Sequence, residues 1–299
     1  MLACTLLIAG TTLLAKAMGN GSLGMAVHPL MVSNARFVFG FLTVLAALGL
    51  RRAAGRPAWV EPVGGAPRPA WGIHALRTFL GWVSGGLMFA AAAQMPLADV
   101  SALGFLSPVA TLFLAMTILD EKVGPWRWTA VALALVGAAI LLRPGAGAIQ
   151  PAALLALGAA ATMGMEAVVI KRLATTEPPG RTMIINNGMG AVLASVVGVF
   201  FFTWPQGAGL WAALVAMGSV MVTAQILLLT ANRVADASFV APFFYLSLVW
   251  AAVYDILVFG VWPDAVTVTG AAIIVSGGML MTWREIRARR VIVAPVLLR

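Results

Sequence analysis

Glu166 stands between Met163 and Val169, deep in an apolar run, where a carboxylate is costly and is a functional candidate by default. It could handle a substrate or a proton, or serve as the partner of Arg36 or Lys16. Arg36 lies about a third of the way into its own run, so it should face protein or water rather than lipid. Lys16, near the end of the first run, is expected to snorkel to the interface, with a buried role as the alternative. Asp255 falls within about one helical turn of a run's end, a place for a solvated or Lys16-paired carboxylate. Asn34 and Asn187 each put an amide early in a run, which predicts hydrogen bonding between helices. Gly81, Gly85 and Gly86 give a small face for close helix approach, and Trp82 beside them could line a cavity. His74 is expected at the interface, and Pro108 and Pro242 are expected to kink their helices. No metal or cofactor is expected. The two histidines, His28 and His74, stand in different regions, and there is no H-E-x-x-H pattern for an enzyme.

These residues need helices in a bilayer to hold them. The chain of 299 residues is 62% hydrophobic and only 10% charged, with a mean hydropathy of +0.99. A soluble chain carries about 25% charged residues, so this one cannot cover a water-facing surface. Ten apolar runs have the length of about 20 residues that crosses ~30 Å of hydrocarbon. They are roughly 2–18, 30–50, 72–93, 98–119, 126–143, 150–172, 182–203, 208–230, 237–260 and 264–283. The absence of alternating strand patterning argues against a β-barrel. Ala15-Lys16-Ala17 resembles a cleavage site, but no basic segment precedes the apolar stretch, so the first run is expected to be a retained helix.

The net charge of +9 is a topology signal rather than a nucleic-acid footprint, and no nucleic-acid partner is expected. Arg51, Arg52, Arg56 and Arg68, with Arg77 just inside span three, and Lys122, Arg127, Lys171, Arg172, Arg181 and Arg233 fall in or beside alternate loops, and a basic tail follows the last run. The other loops carry only Arg143. This asymmetry predicts both termini in the cytoplasm of a cell inner membrane.

The chain also repeats itself. Ala98-Asp99-Val100-Ser101 returns 137 positions later as Ala235-Asp236-Ala237-Ser238, with a proline following each. Gly81 then falls on Gly218, and Gly137 on Gly277 once three residues are added. Such spacing marks a duplicated unit. Residues 1–149 and 150–299 are thus expected to be two five-helix repeats. Five is odd, so the copies enter the membrane from opposite sides. Inverted repeats of this kind rock around a midplane site, to which the proline-interrupted fourth and ninth helices point.

Ten spans, two halves, Ala-Asp-x-Ser opening spans four and nine, a proline in each, the acidic Asp120-Glu121 end of span four, and glycines in the fifth and tenth helices resemble the drug/metabolite transporter superfamily, EamA type. Within it the chain is most similar to bacterial exporters of amino acids, the aromatic-amino-acid group in particular. One departure is Gly260-Val261, where the second half lacks the Gly-Glu that the family often has. The resemblance implies an inner-membrane carrier exporting amino acids or related small metabolites by alternating access, with drugs as another substrate class. It implies a cavity lined chiefly by helices three, four, eight and nine. Mapped here, that cavity takes Trp82, Phe89, Ser101, Phe105, Thr223, Gln225, Pro242 and Tyr245, with Asn187 and Glu166. Aromatic rings would meet side chains or an ammonium group, Ser101, Asn187 and Gln225 would bond a zwitterion, and Glu166 would meet the ammonium. Protons are a candidate co-substrate through Glu166, and facilitated diffusion is the alternative.

Overall fold

The computed structural model describes residues 1–55, 69–118, 124–142, 150–174, 177–234 and 241–293, and its regular structure among them is entirely helical. The helices are α1 (Leu2–Gly19), α2 (Pro29–Ala53), α3 (Trp71–Ala92), α4 (Leu97–Gly104), α5 (Ser107–Ile118), α6 (Pro125–Leu142), α7 (Pro151–Ala174), α8 (Pro179–Gly198), α9 (Ala208–Val234), α10 (Leu246–Phe259) and α11 (Ala265–Val293). A 3-10 turn, Ala241–Tyr245, leads into α10. Proline opens α2, α6, α7 and α8, where its missing N–H costs no intrahelical bond. His28 caps α2 by accepting the Leu30 N–H at 3.3 Å. Gly260, at φ 66°, closes α10 in the left-handed conformation that glycine adopts without a Cβ clash.

Eight helices among the described residues are long and apolar enough to cross a membrane. They include the stretch Leu97–Leu114, which runs through the α4–α5 break. Shorter apolar helices, Trp128–Leu142 and Phe243–Phe259, occupy the expected fifth and ninth positions. The break falls four residues ahead of Pro108, at Gly104, whose carbonyl the proline ring crowds and cannot bond. Leu106 N–H turns instead to Leu103 O at 3.0 Å, tightening the chain. The second Ala-Asp-x-Ser and the Asp120-Glu121-Lys122 end lie outside the described residues.

Packing runs mainly between early and late helices. α3 packs on α7 and α8, α1 on α9 and α10, α2 on α8 and α9, and α6 along α11. The interfaces are rich in alanine and glycine, whose small side chains let helices close on one another by dispersion, since lipid supplies no hydrophobic drive between them. Large apolar side chains such as Phe200, Trp204, Leu257 and Trp262 face outward, as a lipid-facing surface requires.

Two expectations are corrected. Lys16 does not snorkel: it is buried, bonds Asp255 Oδ1 at 2.5 Å and lies 4.4 Å from the Phe259 ring centroid. Only a carboxylate at the same depth makes that placement affordable. His74 is sealed rather than interfacial, with Nε2 at 2.9 Å from Glu177 Oε2.

Candidate functional site

Arg77, Gly81, Gly85 and Phe89 recur every four residues along α3, so they form one stripe on its surface. The two glycines leave a groove in which charged side chains lie. A Cβ on Gly81 would sit 2.9 Å from Glu166 Oε1 of α7, and one on Gly85 would collide with the Arg36 guanidinium of α2. Arg36 donates to Gly81 O at 3.3 Å and covers the Phe37 ring at 4.5 Å and the Phe89 ring at 5.9 Å. Arg77 donates through Nη1 to Thr182 O of α8 at 3.1 Å, while its Nε stands 4.0 Å from Glu166 Oε1. Three helices thus deliver two guanidiniums and one carboxylate to one groove. Side chains of Arg77 and Glu166 keep 13% and 20% exposure, so the groove is not sealed.

The remaining expected site residues divide into groups. Trp82, beside the groove, is half-buried, lies 6.3 Å from the Phe79 ring and has no hydrogen-bond partner for its indole N–H among the described residues. Phe105, in the α4–α5 break, meets Tyr245, at the end of the 3-10 turn, with centroids 4.9 Å apart. The α4–α5 break and the 3-10 turn that leads into α10 therefore touch, and the Tyr245 hydroxyl lies against Gly278 of α11. Ser101 and Gln225 are half-buried, and the exposed Thr223 bonds back to Ser219 O at 2.7 Å. Asn187 does not make the expected bond between helices. Its amide N–H goes to Met183 O of its own helix at 2.9 Å, while Asn34 does bridge helices, to Ser195 Oγ at 3.1 Å. The glycine face of α3 holds charges as well as neighbouring helices, and Glu166 faces Arg77 rather than Lys16. Arg77 was legible only as a charge at a span's edge; its four-residue spacing with Gly81, Gly85 and Phe89 was the signal that places it in the groove.

Among the described residues, carboxylates also close the bundle around Asp255 and around Glu177. Asp255 takes Lys16 on one oxygen and the Ala98 N–H, at the start of α4, on the other at 3.2 Å. Beside it is a cavity of about 220 Å³ lined by Pro96, Asp99, Asp255, Trp262, Asp264 and Thr267. Elsewhere Glu177, between α7 and α8, accepts from His74 and from the Ala70 N–H at 3.0 Å, with Arg181 Nε at 3.8 Å. Burial would push the Glu177 carboxyl up, but the Ala70 and His74 hydrogen bonds and the charges of His74 and Arg181 outweigh it and hold it below its ordinary value.

A helical bundle with apolar outer walls, a broken helix packed on a 3-10 turn and charged groups held between spans is the build of a multi-pass membrane transporter. The chain belongs to the EamA-like transporter family, whose model matches residues 1–143 and 150–283. It is similar to a riboflavin transporter of Vibrio cholerae, 32% identical over 74% of each chain. It is also similar to an S-adenosylmethionine uptake transporter of Rickettsia prowazekii, at 28% over 71% of this chain and 72% of that one. A pseudopaline exporter of Pseudomonas aeruginosa is 25% identical over 62% of this chain and 66% of its own. A solved crystal structure superposes with a TM-score of 0.60 over 96% of this chain and 98% of its own; at 21% identity that likeness shows the fold.

Proposed function

We propose that the protein is an inner-membrane secondary carrier that exports amino acids or related small metabolites by alternating access around a cavity between two inverted five-helix repeats, residues 1–149 and 150–299, with both termini cytoplasmic. The observation that carries this reading is reciprocal packing between α6 and α11. Gly137 meets Gly270 and Ile274, and Gly277 meets Ala130 and Ala134. Adding 140 to 137, 130 and 134 gives 277, 270 and 274, so each contact is the other with the halves exchanged. A two-fold relation between similar halves produces such reciprocity. The helix pairings agree: α3 on α7 answers α9 on α1, and α2 on α9 answers α8 on α3. Halves so related have two equivalent ways of leaning on each other, which is what alternating access needs.

The relatives' names favour a second reading for cargo and direction. Two are named for riboflavin and S-adenosylmethionine, one explicitly for uptake, so uptake of a larger metabolite competes with amino-acid export. Counterflow in proteoliposomes separates the two. Vesicles would be preloaded with unlabelled amino acids, S-adenosylmethionine or riboflavin, and uptake of the labelled compound followed. Saturable exchange with an amino acid supports the first reading, and exchange confined to riboflavin or S-adenosylmethionine replaces its cargo. Folded protein that exchanges none of them overturns the amino-acid assignment. An imposed pH gradient tests whether protons travel in the opposite direction.

A further inference from the structure

Three ion clusters among the described residues are built to different standards. Lys16 and Asp255 touch at 2.5 Å, and the second Asp255 oxygen takes a backbone N–H. Both Glu177 oxygens accept hydrogen bonds. Glu166, by contrast, accepts no hydrogen bond among the described residues, and its nearest cation, Arg77, stands off at 4.0 Å. Arg36 has no carboxylate within 4.0 Å among the described residues and uses a single hydrogen bond, to Gly81 O, of the five N–H groups a guanidinium offers. A structural ion pair at membrane depth would be closed like the other two, because unsatisfied charge there is expensive. The groove instead keeps two positive charges to one negative, with partial exposure and unused donors.

We propose that Arg36 and Arg77 form the seat for a carboxylate of the transported substrate, with Glu166 as a resident counter-ion that stays in the groove and shares the guanidiniums with it. This deepens the carrier reading and rests on it for the step from anion seat to substrate seat. The surplus of one positive charge matches a single carboxylate, whose planar pair of oxygens fits the guanidinium fork. A phosphate dianion would overshoot the surplus. Phe37 and Phe89 hold the Arg36 plane from its face, which leaves its edge donors for the ligand. Gly81 and Gly85 keep the groove open, and the half-buried Trp82 next to it offers an unused N–H and an apolar ring to the rest of the molecule. An incoming carboxylate and Glu166 compete for the same guanidiniums, so binding in one orientation of the halves and release in the other needs only a change in how closely α7 approaches α3.

The test reads the seat without transport. The purified full chain in detergent is titrated with phenylacetate, its neutral isostere phenylacetamide, and phenyl phosphate, at constant ionic strength, and the melting temperature is followed. Phenylacetate is expected to raise it saturably and phenylacetamide to leave it unchanged. Arg36→Gln and Arg77→Gln should abolish the shift, and Asn34→Ala should keep it. Glu166→Gln removes the competitor and should lower the phenylacetate midpoint about tenfold or more. If Arg36→Gln does not fold, Arg36→Lys, which keeps the charge without the fork, should weaken the midpoint. No shift with phenylacetate, an equal shift with phenylacetamide, a Glu166→Gln midpoint that rises or stays put, or a larger shift with phenyl phosphate each overturns the assignment. A carrier reading that failed in proteoliposomes would leave this titration standing. Conversely, flux of a cargo with no carboxylate that survives Arg36→Gln would leave the carrier and remove the seat.

Discussion

Two polar bridges join the early helices to the late ones at opposite ends of the bundle. The carboxy ends of α1 and α3 lie together, where Gly19 faces Ala93, and Lys16–Asp255 is at that end. His74 is in the first turn of α3, so its bridge to Glu177 closes the other end. The first bridge is helix to helix, inside the apolar spans, and pairs a lysine amine with a carboxylate. The second ties a helix start to the loop between two spans, and Glu177 stands in for the side-chain cap that α3 lacks by accepting the Ala70 N–H. One end is held by an ion pair between two spans, and the other by hydrogen bonds that tie a helix start to the turn ahead of α8. Under the proposed alternating access the two ends would open in turn, against different costs.

The largest break in that comparison is expected from Asp255→Ala. It leaves the Lys16 ammonium buried without a partner, a loss of about 3–5 kcal/mol. Unfolding in mixed micelles checks it, and adding Lys16→Met should recover much of the loss. Glu177→Gln should cost less, about 1.5–3 kcal/mol for hydrogen bonds to a charged group. Its signature is in the pH dependence. The folded Glu177 value is depressed, so its contribution is complete above the ordinary carboxylate value of about 4.3 and is lost as pH falls through the lowered one. Melting curves of wild type and Glu177→Gln should therefore differ at neutral pH and converge in acid. The smallest effect is expected at Asn34→Ala. It removes one hydrogen bond between helices, to Ser195, at about 0.6 kcal/mol, and chemical denaturation of the pair with Ser195→Ala measures the coupling.

Much of the fold was readable because its causes are local. Apolar length gave eight of the expected spans outright, with shorter helices at the fifth and ninth positions, and Pro108 placed the break because its ring acts on the carbonyl four residues back. The Lys16–Asp255 pair was one of two readings of Asp255, and only the fold decides between solvent and a lysine far away in sequence. His74–Glu177 was not foreseen, because Glu177 lies between spans and no spacing rule connects it to a histidine in another helix. The groove shows the same limit from the other side. Gly81 and Gly85 announced a small face, but whether a backbone or a guanidinium would fill it depends on α2 and α7, which approach from elsewhere in the chain. Arg77 read as a boundary charge because a span's edge and a site's edge look alike along one dimension.

The seam between α6 and α11 has one more consequence. If residues 1–149 and 150–299 are repeats as proposed, Gly137 against Gly270 and Gly277 against Ala130 are the two halves of an isologous contact, in which residue i touches j and the copy of j touches the copy of i. That is the grammar of a homodimer, written here inside a single polypeptide. In a true homodimer one mutation alters both contacts at once; here each can change separately. On the proposed repeat, joining the halves in one chain would free the two faces to diverge, and glycine opposite Gly137 but alanine opposite Gly277 is the kind of difference it would leave.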